Sequence, residues 1–172
     1  MRIAVAALVA ACVVAPGIAN ARDTARGTRQ SSLESQLAQQ INVVRRGYGL
    51  KPLKVSFKLA SAAAAHSREM GVDGYFEHES LDSTPFWKRV ARWYPSRGWH
   101  SWSVGENLVY GSPDVSADSA VEIWMNSPPH RANMLSRSWR EIGISAIHFD
   151  AAPVEYNGAA VTIVTTDFGI RR

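Results

Sequence analysis

Five histidines, His66, His78, His100, His130 and His148, are the groups in this chain best suited to acid-base or metal chemistry. An imidazole changes charge near neutral pH, and its neutral form lends a lone pair to a divalent ion. Their contexts differ. His66 sits on an apolar helical stripe and reads as a core histidine hydrogen-bonded to a neighbour. His148 falls near a strand end, and His100 lies in a long loop between Trp99 and Trp102. His78, in Tyr75-Phe76-Glu77-His78-Glu79-Ser80, and His130, in Asn126-Ser127-Pro128-Pro129-His130-Arg131-Ala132-Asn133, each follow the end of a helical segment. Rigid elements commonly present functional groups at such ends. Between them stands Gly105-Glu106-Asn107-Leu108. Two imidazoles and a carboxylate could hold zinc or another divalent metal with one position open to water. In that arrangement Glu106 is either a ligand or a general base beside His78 and His130. Ser67, Ser80 and Ser127 lie near histidines, but none sits in a Gly-x-Ser-x-Gly elbow. Trp99 and Trp102 are candidates for stacking on a ligand, whereas Trp87 and Trp124 read as inward-facing helix residues.

The elements that must position these groups can be read from periodicity. Ser31 with Glu34 forms a capping-box pattern opening a helix striped by Leu33, Leu37, Ile41, Val44 and Tyr48 and ending at Gly47 or Gly49. Ser56 caps a second helix through Met70, and Thr84 with Pro85 opens a short third helix to about Trp93. Ser116 caps a fourth, which Pro128-Pro129 ends. The period then shifts to that of strands. Glu141 to Phe149 alternates, Ala159 to Phe168 is β-branched, and an Asn157-Gly158 turn makes the two antiparallel neighbours. Val104 to Tyr110 is a weaker third strand. Helices followed by strands predict an α+β fold with a small antiparallel sheet.

The N-terminus bounds where this chemistry takes place. Arg2, an apolar run from Ile3 to Ile18 and Ala19-Asn20-Ala21 read as a secretory signal peptide, residues 1–21, cleaved after Ala21. The expected address is secreted or periplasmic. Val9-Ala10-Ala11-Cys12 offers the minor alternative of a lipoprotein anchored through Cys12. Residues 22–31 are polar and predict a disordered leader, leaving residues 32–172 as one domain. Cys12 is the sole cysteine, so a disulfide framework or thiolate metal site is excluded from the mature chain. Nothing after the signal is apolar enough to span a membrane. The net charge of +4 suits an acidic surface, but no dense Lys/Arg block marks a nucleic-acid footprint. A monomer is expected.

Taken in order, Ala63-x-x-His66-Ser67-x-x-Met70, Phe76-x-His78-x-Ser80, Gly105-Glu106-Asn107-Leu108, Trp124-Met125-Asn126-Ser127-Pro128-Pro129-His130-Arg131-Ala132-Asn133-Met134-Leu135, Glu141-Ile142-Gly143 and Asp167-Phe168-Gly169 resemble the bacterial branch of the CAP (SCP-like) superfamily. That superfamily takes its name from cysteine-rich secretory proteins, antigen 5 and pathogenesis-related 1 proteins. The resemblance runs from Leu33 to Gly169 and implies a three-layer α-β-α sandwich with a central antiparallel sheet. It also implies a surface cleft with two histidines and two acidic residues, carried here by His78, Glu106 and His130. The second acid falls on Ser127, which removes one carboxylate and prevents transfer of a four-residue acid-base cluster. Bacterial relatives often carry Trp and Gln where this chain has Val164 and Thr166.

These readings lead to one expectation and two rivals. The expectation is a secreted binding module whose cleft holds a divalent metal or small ligand, with Ser127, Trp99 and Trp102 as ligand contacts. The rivals are a metal-dependent hydrolase using the same cleft and a lipid- or sterol-binding protein. The partner would be an extracellular ligand, a cell-wall component or a lipid.

Overall fold

In the computed structural model, residues 27–172 are described. The signal peptide, Cys12 and most of the leader lie outside the described residues. Five strands form one sheet: β1 (Thr28–Arg29), β2 (Lys54–Val55), β3 (Trp102–Gly111), β4 (Glu141–Phe149) and β5 (Val161–Arg171). The order is β1-β4-β5-β3, with β2 also on β4. The long strands pair antiparallel, whereas the short β2 runs parallel to β4. Five helices flank the sheet: α1 (Ser31–Gly47), α2 (Phe57–Asp73), α3 (Phe86–Ala91), α4 (Ala117–Asn126) and α5 (Pro128–Leu135).

Strand periodicity sorts the helices into two layers. Ile142, Ile144, Ala146, Val164 and Phe168 pack with Leu37 and Ile41 of α1, Trp124 of α4 and Met134 of α5. The opposite face meets α2 and α3: Met70 packs with Leu108, Ile147 and Ile163, while Leu59, Ala62 and Val90 surround Tyr94. With helices on both faces, β4 and β5 are buried almost throughout, so the expected one-faced alternation of β4 gives way to burial of both faces. Gly143 lets the α2 backbone approach the sheet closely, since a Cβ there would lie 2.1 Å from the Ala60 backbone nitrogen.

Several local expectations are corrected. The leader ends earlier than residue 31: Thr28 and Arg29 pair with His148 and Ile147, and Gln30 donates its N–H to the Ala146 carbonyl. An edge strand on β4 therefore replaces disorder. Glu34 does not close a capping box. It is buried, accepts from Arg29 (Nη2–Oε2 2.6 Å) and takes the Ala146 N–H at 3.1 Å. The second helix runs to Asp73 and stops at Gly74, whose φ of 72° is the left-handed conformation that glycine tolerates. The third helix is shorter than expected, with Pro85 capping it from outside. Pro128-Pro129 does end α4, but it also opens α5, because proline suits a first helical turn whose N–H groups lack partners. Ser116 caps α4 as expected, its Oγ accepting the Ser119 N–H at 3.1 Å.

Candidate functional site

The site forms at β3, the terminal strand of the sheet, where groups from both helical layers meet. Alternation along β3 turns Glu106 to the α2 face with Leu108, and Asn107 to the opposite face. Glu106 is 4 % exposed. A carboxylate in that position needs partners, and it has two. His78, in the loop after α2, has Nδ1 2.9 Å from Oε1, and Arg89 of α3 donates from Nη2 to Oε2. A carboxylate only accepts, so His78 Nδ1 carries the hydrogen and Nε2 is left for another partner. Arg89, itself buried, also donates to the His78 carbonyl at 2.9 Å, closing a ring of contacts around the loop.

The electrostatics follow from this packing. Burial pushes the Glu106 carboxyl up, but the His78 hydrogen bond and the Arg89 charge outweigh it and leave the carboxyl below its ordinary value. The hydrogen bond to Glu106 raises the His78 pKa, against a smaller burial penalty. His78, Phe86, Val104, Gly105, Glu106 and Asn133 line a cavity of about 370 Å³, and the His78 side chain is 45 % exposed.

His130 reaches this edge from the other layer. It lies in the first turn of α5, and its Nδ1 is 2.8 Å from Ser127 Oγ. Its backbone is fixed by Asn107, whose side-chain amide donates to the His130 carbonyl at 3.0 Å. Asn133 then donates to the Glu106 carbonyl and to Asn107 Oδ1. Burial lowers the His130 pKa, and the nearby charge of His78 lowers it further. His130 itself is not among the residues lining the His78 cavity. Both oxygens of Glu106 are engaged, one by His78 and the other by Arg89. Among the described residues, no three His, Cys, Asp or Glu side chains are grouped to hold a metal ion.

The remaining expected residues fall elsewhere. Ser127 holds His130. Trp102 begins β3 rather than lying in a loop, and its indole N–H is bound to the Tyr94 carbonyl at 2.8 Å. Trp99 is exposed with Arg171 5.0 Å from its ring. Neither Trp lines the His78 cavity. Trp124 is buried as expected, but Trp87 is half-exposed, because α3 turns Arg89 and Val90 inward instead. His66 is fully buried with Nε2 2.9 Å from the Glu77 carbonyl. His148 is half-buried, bonded to Thr162.

Two residues of the site, Arg89 and Asp167, are not among the expected site residues. Beside Lys88, Arg89 resembles an ordinary solvated charge, and only the need of a buried Glu106 for a counter-charge points to it. Asp167 pairs in register with Glu106 and is fully buried, with neither carboxyl oxygen hydrogen-bonded. Burial, then the Glu106 charge, raises its pKa well above the ordinary carboxyl value. Its visible signals are the Asp167-Phe168-Gly169 motif and a charged residue beside the β-branched run Val161 to Thr166.

A half-exposed histidine on a buried glutamate at the edge of an α-β-α sandwich is the arrangement expected of a CAP-type domain. The family model for the cysteine-rich secretory protein family, CAP, matches residues 38–163, and the chain belongs to that family. It is 32% identical over 106 residues to the uncharacterized protein YkwD of Bacillus subtilis (strain 168), covering 62% of this chain and 39% of that protein. It is 31% identical over 103 residues to the uncharacterized membrane protein YlbC of the same organism, covering 60% of this chain and 28% of that one. The chain thus spans well under half of either curated relative. Among solved structures, an outer surface protein of Borrelia burgdorferi superposes with a TM-score of 0.67 at 20% identity, over 85% of this chain and 99% of that one. An extracellular SCP-domain protein of Bacillus anthracis str. Ames gives 0.63 at 24% identity, over 83% and 41%. These likenesses show the shared fold.

Proposed function

We propose that this chain is an extracytoplasmic CAP-domain binding module whose β3-edge cleft holds a divalent metal, zinc foremost, or a small ligand between the Nε2 atoms of His78 and His130. The observation that carries this reading is the commitment of both Glu106 oxygens to His78 and Arg89. A general base must be able to reach a reacting water or proton. Glu106 instead points its charge into the protein, where it fixes the tautomer of His78 and aims Nε2 outward. A carboxylate behind a histidine is the usual outer-shell support of a metal ligand. Both histidines fit a metal through Nε2, provided that His130 donates Nδ1–H to Ser127 Oγ. A bound divalent ion would supply Lewis acidity to a ligand oxygen in the cleft. This chain's residues would orient that ligand and partly exclude water through Phe86 and Val104.

The three-part N-terminus, which reads as an export signal, favours the same reading, and no helix among the described residues is long and apolar enough to cross a membrane. The test is elemental analysis after zinc loading and gel filtration. Wild type should retain zinc, and His78→Ala/His130→Ala should not. Equal zinc content in the two would overturn the metal reading. Hydrolysis of a peptide or cell-wall substrate that disappears in Glu106→Gln would overturn the non-catalytic one.

A further inference from the structure

Two long stretches of the chain, residues 35–68 and 123–140, contain no Asp or Glu. The fold brings them together where the end of α1 and the loop after it meet the segment that joins α5 to β4. Arg45, Gly49, Leu50, Lys51, Arg137 and Arg140 line a cavity of about 240 Å³ there. At the roughly 30 Å³ that a water occupies in the liquid, that is space for about eight water molecules. No lining residue is shared with the His78 cavity.

Arg45 forms the inner wall. It is 1 % exposed, yet no carboxylate accompanies it. Its Nε donates to the Lys51 carbonyl at 3.1 Å, and its Nη1 donates to the carbonyls of Met134 and Ser136 at 2.7 and 3.0 Å. Nη2 has no partner among the described residues. Arg140 uses Nη1 in the same way, on the carbonyls of Arg137, Ser138 and Trp139. Neutral carbonyls satisfy the N–H groups but leave the charge. Lys51 and Arg137 are exposed at the rim. None of the four cations forms an ion pair among the described residues. Glu141, next to Arg140 in the chain, is bound by the Tyr94 hydroxyl instead. Burial first and the Arg140 charge second lower the Arg45 pKa, so the two guanidiniums repel one another. The C-terminal ends of α1 and α5 offset part of this surplus. Each carries about half a negative charge, which leaves about three of the four positive charges uncompensated.

We propose that this corner is an anion site that takes a single phosphate group, with Arg45 at its floor and Lys51, Arg137 and Arg140 around it. A guanidinium presents N–H donors in a fork that matches phosphate oxygens, and such charge-assisted bonds are about twice as strong as neutral ones. A phosphate monoester carries close to two negative charges near neutral pH, which answers the surplus better than one carboxylate does. The cations come from separate segments and converge on one cavity instead of forming a stripe. The ligand is therefore the free ion or a small phosphate ester, not a polyanionic strand.

The test is titration of the full chain with inorganic phosphate, and separately with glycerol 3-phosphate, followed by amide NMR at constant ionic strength. Saturable shifts at Gly49, Lys51, Arg137 and Arg140 are expected, and the tighter of the two ligands tells the free ion from the ester. Lys51→Gln/Arg137→Gln removes two rim charges and should weaken binding about tenfold, at roughly threefold per exposed charge, while leaving circular dichroism unchanged. Arg137→Glu supplies the missing carboxylate and should abolish the response. His78→Ala/His130→Ala should leave it intact, which separates this site from the metal cleft. No saturable shift, shifts of the same size with chloride in place of phosphate, shifts near His130 but not at Gly49 and Lys51, or undiminished binding by the Gln or Glu variants would overturn the proposal.

Discussion

Replacing Arg89 with Met should destabilise the domain more than any exposed substitution, although Arg89 looks like one of many surface cations in the sequence. The side chains of Arg89 and Glu106 are 4% and 1% exposed, and they form an ion pair. Removing one partner leaves a buried carboxylate with His78 alone, and breaking such a pair costs about 3–5 kcal/mol. For a domain of this size about 4 kcal/mol corresponds to roughly 8–16 °C in Tm. Thermal unfolding of Arg89→Met should show that drop. The double variant Arg89→Met/Glu106→Gln removes the stranded charge and should recover a substantial part of it, with a coupling of about 1–3 kcal/mol in the cycle. Arg89 also depresses the His78 pKa, so the His78 ring should titrate at higher pH by NMR in Arg89→Met. A loss below about 1 kcal/mol, or strictly additive single changes, would show that Arg89 is not the counter-ion that makes a buried Glu106 tolerable.

Other consequences follow from the same contacts. His78 has a folded pKa above its unfolded value, so its stabilising contribution is complete below about pH 6.5 and lost as pH rises through the folded pKa; His78→Gln should flatten that decline in urea midpoints measured from about pH 6 upward. Burial lowers the His66 pKa, so the domain should lose stability as pH falls below about 6.5, and His66→Gln should remove this acid sensitivity. Asp167 is the reverse case: its raised pKa means stability falls as pH climbs above about 4, and Asp167→Asn should be tolerated and flatten that part of the profile. Ser127→Ala should leave His130 in place but weaken zinc affinity about 10–100-fold by calorimetry.

The architecture was legible because long buried elements announce their period. The stripe of α1, the strand pair β4–β5 and the caps of α4 all follow from local chemistry. What failed to show was the assignment of partners across the fold. Ser31 and Glu34 satisfy a capping-box pattern, yet Glu34 serves Arg29 and the edge of β4, since an unpaired strand N–H in the interior outweighs a helix end that water can reach. Pro128-Pro129 could equally stop one helix or start another, and it does both. In the site, His78, Glu106 and His130 were recognisable as residues. Their division of labour was not, because it depends on Arg89 and on which sheet face each neighbour occupies. The loop placement of Trp102 failed for a related reason: periodicity does not reveal that Trp102 joins β3 and hands its N–H to Tyr94.

The exchange of a carboxylate for Ser127 bears most directly on what the cleft can do. A carboxylate at that position could only accept, and it would force Nδ1–H onto His130 just as Glu106 forces it onto His78. A hydroxyl both donates and accepts. At 2.8 Å from Nδ1, Ser127 allows His130 either tautomer, so Nε2 can meet a metal or donate to an anionic ligand. His78 has no such freedom while Glu106 remains ionised, and Arg89 keeps it so. The proposed cleft would pair one imidazole of fixed polarity with one that adapts. Ser127→Asp should convert the second into the first. If His130 selects between metal and anion, that variant should bind zinc more tightly and inorganic phosphate more weakly than wild type. Unchanged affinities for both would show that the serine is only a structural link between α4 and α5.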